Sequence, residues 1–408
     1  MWTLIQFELR KILDNRAGMI ACLLALAAVV GLSALNLLTF GMRDYDTGEY
    51  VTGIAAQQAY RAVEETHAGT LDDEHVAADA AALGRANQLA DETPGFYELS
   101  SEQIIERYGL GFWQQSMGAL QQNYYMEVVG TLDSGYGGRA TSLKEGALAR
   151  LDGAFEAGFM NYFPYSDAEQ DFWQAKVEAI SWPVEYGYAG GWKNALNWSS
   201  FLGLCIVALC IALSGTFAGE YQARTAAVVL PTRRGKRALP VAKVAAAGIF
   251  ATAYWFVCAA AVTAINVGIC GAEGWDLPLQ VALGFGNPYP FTIGQTVLAH
   301  VALGWLVSMG MAALTLLLSA KMRSTMPVAV IPMAVAFLGL FALFITPLAK
   351  VASLTPIAAL DYAFARIASY AAGPVVLDLP ALAALLYAAM LLVLTPLACR
   401  TFRRHQAV

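Results

Sequence analysis

Apolar runs alternate with short basic segments along this chain, and one long polar stretch interrupts them. The runs cover residues 17–40, 198–219, 244–270, 293–320, 326–347 and 379–399, and the first holds no charge. A helix rises about 1.5 Å per residue, so about 20 apolar residues cross a bilayer. The pattern predicts an all-α polytopic membrane protein with six transmembrane helices. A weaker apolar stretch, 348–376, holds Lys350, Asp361 and Arg366 and is broken by Pro356 and Pro374. Charge and proline interrupt it before spanning length, which predicts a re-entrant or interfacial hairpin on the outer side.

The polar stretch, residues 41–195, lies between the first two spans. It carries nine basic and 24 acidic residues, a net charge of −15, and no cysteine. Its length suits a small domain. Segments 54–67, 72–91 and 143–162 read as helices. In the second, Asp72 is placed to cap a run with Val76, Ala80, Leu83, Ala86 and Leu89 on one face. Residues 133–138, Asp-Ser-Gly-Tyr-Gly-Gly, read as a turn. The expectation is a mostly helical extracytoplasmic insertion. Trp182, Tyr186, Tyr188, Trp192 and Trp198 near its end read as an aromatic belt at the outer interface.

At the other end, residues 1–13 place Trp2, Ile5, Leu9 and Ile12 at helical spacing, with Glu8, Arg10 and Lys11 supplying charge. This reads as a helix lying on the membrane face, or as the start of the first span. Charges of both signs ahead of a 24-residue run do not match a cleavable signal. The expected division is 1–40 for this helix and the first span, 41–195 for the insertion, and 196–408 for the remaining spans.

Charge then orients the chain. With the N-terminus inside, the cytoplasmic segments hold Arg10, Lys11 and Arg16, then Arg224, Arg233, Arg234, Lys236, Arg237 and Lys243, then Lys321 and Arg323, and finally Arg400, Arg403 and Arg404. Only Glu8, Asp14 and Glu220 oppose them. The loops after the third and fifth spans hold just Lys350 and Arg366. The positive-inside rule therefore puts both termini in the cytoplasm of a multi-pass cell-membrane protein. Composition agrees: 58% of the 408 residues are hydrophobic and 14% charged, and mean hydropathy is +0.51. The net charge of −6 gives no sign of nucleic-acid binding.

Candidate chemistry is sparse. There is no GxxxxGK[ST], HExxH or GxSxG, so no ATP site of the P-loop kind is expected in the chain. No cofactor, metal or catalytic set is assigned. His67 and His75 flank Asp72-Asp73-Glu74 and read as a solvated helix start rather than a metal site. His300 lies within the fourth run and reads as a neutral imidazole bonded to a neighbouring helix. His405 belongs to the basic tail. The runs contain no Asp, Glu, Lys or Arg, which argues against ion-coupled pumping. Asn36, Asn266, Thr252, Thr263, Ser308 and Thr315 read as interhelical glue. Cys22, Cys205, Cys210, Cys258, Cys270 and Cys399 sit in or beside apolar runs without CxxC spacing, so no disulfide framework or zinc site is read.

Residues 220–243 are the most informative segment. Arg224 to Leu230 predicts a short helix ended by Pro231, whose edge would offer a docking surface; the basic residues would also serve simply to fix topology. Glu220, Arg224, Thr225, Pro231, Arg233 and Lys243 in this order resemble the coupling-helix region of the permease subunit of bacterial type 2 ATP-binding-cassette exporters. Residues 7–11, Phe-Glu-Leu-Arg-Lys, resemble that family's elbow helix. The insertion after the first span, the stretch 348–376 and the tail Arg400-Thr-Phe-Arg-Arg-His-Gln match its outline.

The resemblance implies a permease subunit that forms the translocation pathway with a second, identical or related copy. ATP and Mg²⁺ would be bound by separate ATPase subunits. These would dock on Phe7, Glu8, Lys11, Glu220, Arg224, Thr225, Pro231, Arg233, Arg234, Lys236 and Lys243. A membrane receptor or sensor with an acidic ligand-binding outer domain is the alternative reading. An integral-membrane enzyme is disfavoured by the missing nucleophile–base set.

Overall fold

The computed structural model describes residues 1–116, 124–132, 140–158, 164–225, 233–342, 345 and 348–404. The chain is mostly helical, at 75%. Five helices are long and apolar enough to cross a membrane: Arg16–Thr39, Gly190–Gln222, Arg237–Cys270, Ile293–Lys321 and Leu379–Arg404. A sixth apolar helix, Thr325–Phe341, is shorter. The remainder of its apolar run falls mostly on residues outside those described.

Two of these helices start well before their apolar runs. The second begins at Gly190 and passes through a 3-10 turn at Ser200–Leu202. The third extends back to Arg233 and carries Pro240 inside it. Polar and basic residues had marked 233–243 as loop. The helix continues there because Ala, Leu, Arg and Lys all favour it, and Leu239 and Ala242 are buried.

Interhelical polar contacts are specific. Asn266 donates to Ser33 Oγ at 2.9 Å, and Trp305 Nε1 donates to Thr252 Oγ1 at 3.0 Å. Tyr254 donates to the Cys22 carbonyl at 2.9 Å. Thr315 instead bonds its own helix at Met311 O, and the buried Ser308 hydroxyl has no partner among the described residues. All six cysteines are free, and five are buried.

The segment between the first two apolar helices contains helices Ile54–Thr66, Asp73–Glu92, Leu143–Ala157 and Asp167–Glu178. Asp72 caps the second by accepting the His75 amide at 2.7 Å. The third ends at Ala157; part of its expected continuation, and the turn expected at 133–138, lie outside the described residues. Short strands join the helices: Gly41–Arg43 pairs with Tyr50–Thr52, and Gly69–Leu71 with Val184–Tyr186. The latter pairing bears on the aromatic-belt reading, which the structure corrects for Tyr186 and Tyr188, while Trp182, Trp192 and Trp198 are half-buried. It draws Tyr186 into the core at 2% exposure, where Tyr186 donates to Glu64; Tyr188, just beyond the strand, is 5% exposed.

Stretch 348–376 divides into helices Ala349–Ala352 and Pro356–Tyr362, followed by a β-hairpin of Ser369–Ala372 and Val375–Asp378. Proline explains both halves. Pro356 opens a helix at N1, where its missing N–H is unneeded, and Gly373-Pro374 forms the hairpin turn.

Helix Asp167–Glu178 is clamped to this hairpin. Trp173 Nε1 donates to Ser369 Oγ at 3.1 Å, which donates to Glu169 Oε1 at 3.0 Å. Lys176 pairs with Asp378 at 2.5 Å beneath the Tyr289 ring. Asp378 also accepts the Ala381 amide at 3.0 Å, anchoring the start of the last apolar helix. Burial works against the Glu169 carboxylate, but Ser166, Ser369 and Lys350 outweigh it and hold the group below its usual range. A depressed carboxyl contributes stability above its unfolded value and loses it as pH falls through the folded one. The clamp should therefore loosen below about pH 4. Trp173 fluorescence should report this as a red shift on acidification. Glu169→Gln should flatten the transition, and an unchanged profile in that variant would assign it elsewhere.

Candidate functional site

Three segments far apart in sequence converge at one end of the helical bundle. Helix Trp2–Leu13 brings Glu8 and Lys11. The last turn of Gly215–Gln222 brings Glu220. Lys243 comes from the third turn of Arg233–Cys270, and only because that helix starts early. Lys243 Nζ donates to Glu8 Oε2 at 2.6 Å and to Glu220 Oε1 at 2.9 Å. Lys11 Nζ donates to the same Glu220 oxygen at 2.8 Å and lies 3.5 Å from Glu8 Oε1. Thr225 donates to the other Glu220 oxygen.

The set holds two carboxylates and two ammonium groups, so its formal charge is zero. Lys243, Glu8 and Glu220 are 2%, 3% and 8% exposed. Such burial is tolerable only where each charge meets opposite charge and hydrogen bonds. Lys11 stands at the rim. Burial opposes its ammonium, but the Glu220 hydrogen bond and the charges of Glu8 and Glu220 prevail and raise its pKa.

Neighbouring residues hold the geometry. Asn15 caps helix Arg16–Thr39 by accepting the Gly18 amide at 3.3 Å, and donates to Ala212 O at 3.2 Å. Glycine is needed at position 18, where an added Cβ would lie 2.6 Å from Ala212 Cα. This backbone approach sets helix Arg16–Thr39 against Gly203–Leu213 beside the cluster. Beyond them opens a cleft of about 580 Å³, lined by Glu8, Lys11, Asn15, Glu220, Lys243 and Met326 among others. From the last helix, Phe402 is fully buried, with its ring 4.8 Å from that of Phe217.

Of the residues expected here, Glu8, Lys11, Glu220, Thr225 and Lys243 meet in one network. Phe7 is exposed and lies 5.0 Å under the Lys11 ammonium. Arg224 adopts a left-handed backbone, φ 58°, turning the chain sharply after Gln222. Pro231 and most of the short helix expected over 224–230 lie outside the described residues, as does His405. Arg233 and Lys236 lie in the first turn of the following helix, together with Arg234. Asn15 was missed, although an Asn directly before a helical run is an N-cap signal.

Elsewhere, among the described residues, no three His, Cys, Asp or Glu side chains gather in a set able to hold a metal. His75 contacts Asp79 at 3.4 Å, and His67 stacks on Tyr124 at 4.1 Å. Comparison with protein-family models, curated proteins and solved structures finds no match to this chain.

Proposed function

We propose that the chain is the membrane-spanning subunit of an ATP-driven exporter and transmits movement from a separate ATPase into its own helices. The observation that supports this most is the buried Glu8–Lys243–Glu220–Lys11 network. It ties an interfacial helix and the ends of two apolar helices into one unit, next to the connection 223–232 and the basic residues Arg233, Arg234, Lys236 and Arg237 that follow it. A force applied to that connection would move all three elements together, because separating them would strand buried charge.

In this reading six helices span the cell membrane, with Thr325–Phe341 beginning the fifth. Both termini and the ion network face the cytoplasm, and residues 41–195 lie outside. A second copy, identical or related, completes the pathway. ATP and Mg²⁺ bind the partner ATPase. The lack of any P-loop motif and of charged residues within the apolar runs fits a protein driven from elsewhere.

Cysteines placed singly at Thr47 and Ser324, in a background without native cysteines, should label from opposite faces with an impermeant thiol reagent. Labelling from the same face would overturn the arrangement and with it the docking face. The purified chain should show no ATP turnover of its own, and turnover that persists after removal of contaminating ATPases would contradict the division of labour.

A further inference from the structure

At the end of the bundle opposite the ion network lies a cavity of about 210 Å³. That space suits a small polar molecule. Asn197, Ser200, Thr296, His300, Asp361 and Arg366 supply its polar lining. Thr296 and His300 stand one helical turn apart on Ile293–Lys321, at 0% and 5% exposure. His300 is about 10 Å along that helix from Ile293. Its Nε2 has no hydrogen-bond partner among the described residues, so the expected bond to a neighbouring helix is not made. His300 also lines a second void, of about 20 Å³, with Trp255 and Val262. Polar groups that deep among apolar helices are costly without a partner.

The two charges at the mouth do not satisfy each other. Asp361 lines the cavity together with Ser200. Arg366 lies 5.3 Å from the Tyr362 ring centroid. Among the described residues neither enters an ion pair. A carboxylate and a guanidinium thus line one cavity without closing on each other.

We propose that this cavity binds a small zwitterion that joins a primary ammonium to an oxyanion. The ammonium meets Asp361, to which it donates charge-assisted hydrogen bonds. The oxyanion meets the planar fork of Arg366, which suits a phosphate or carboxylate. Thr296 and His300 provide polar surface at the buried side. Phosphatidylethanolamine headgroups in the surrounding leaflet carry this chemistry, and so does free phosphoethanolamine.

The proposal rests on these helices spanning a bilayer but not on ATPase docking, so loss of either result leaves the other standing. The test uses the full chain in phosphatidylcholine nanodiscs. One arm adds phosphatidylethanolamine and counts retained lipid by native mass spectrometry. The other titrates O-phosphoethanolamine calorimetrically. We expect one phosphatidylethanolamine retained in preference to phosphatidylcholine, a saturable phosphoethanolamine isotherm, or both. Binding in the first arm alone identifies a lipid source, and in the second alone a soluble one. Asp361→Asn and Arg366→Gln change exposed side chains and should each weaken binding roughly tenfold. No preference over phosphatidylcholine together with no calorimetric signal would overturn the proposal. Undiminished binding in both variants would overturn it as well.

Discussion

Replacing Lys243 with methionine should destabilise the protein by about 3–5 kcal/mol, the usual cost of removing one partner from a buried ion pair. Lys243 is 2% exposed and, among the described residues, is the one group that hydrogen-bonds both Glu8 and Glu220. Without it, two buried carboxylates face each other and, among the described residues, the rim ammonium of Lys11 is the one cation left to pair with them. Methionine retains most of the volume, so the loss would be electrostatic rather than a cavity effect. Thermal unfolding in detergent should show the change as a clearly lowered midpoint. A second substitution separates this from general damage. Glu8→Gln in the Lys243→Met background removes one stranded charge and should recover part of the loss, whereas Glu8→Gln alone should destabilise. Such opposite signs are the mark of coupled sites. Additive losses would mean that the two residues act independently.

Reversing Arg233 and Arg234 to glutamate should abolish retention of an ATPase partner while leaving the chain correctly inserted. Both residues open the helix that carries Lys243. Close interfacial charge pairs are worth about 1.5–7 kcal/mol, and exposed ones far less. Two reversals at the docking face would turn attraction into repulsion. Orientation should persist, because Arg224, Lys236, Arg237 and Lys243 still mark the segment as cytoplasmic. Reversal of Arg403 and Arg404 in the tail serves as the control and should matter less. Normal partner retention by the loop variant, measured by pull-down at equal membrane levels, would show that these arginines only orient the chain.

Apolar periodicity made the long helices legible, because run length is a local property. Their starts were less so. The helix carrying Lys243 begins at Arg233, ten residues ahead of it, where basic residues resemble a connection. Asp72 was readable as a cap because capping involves only adjacent residues. The partnership of Glu8, Glu220 and Lys243 was different: Lys243 lies 235 positions from Glu8. No local pattern encodes such a contact, and only the resemblance to exporter permeases grouped these residues. Tyr186 and Tyr188 show the opposite failure. Aromatics beside an apolar run suggested an interface, but Tyr186 is buried in the strand paired with Gly69–Leu71 and Tyr188 is buried just beyond it. The β-hairpin at 369–378 was hidden for a similar reason, since its strands have four residues each.

The central claim is that the end of the bundle carrying the ion network docks an ATPase. A photo-crosslinking amino acid placed at the exposed Arg237 position, in intact membranes of the native cell, tests it most directly. Irradiation should join the chain to a soluble protein that carries a P-loop, and ATP should change the yield of that adduct. A probe that crosslinks only to lipid or to the chain itself, with no P-loop protein captured in the presence or absence of ATP, would contradict the claim.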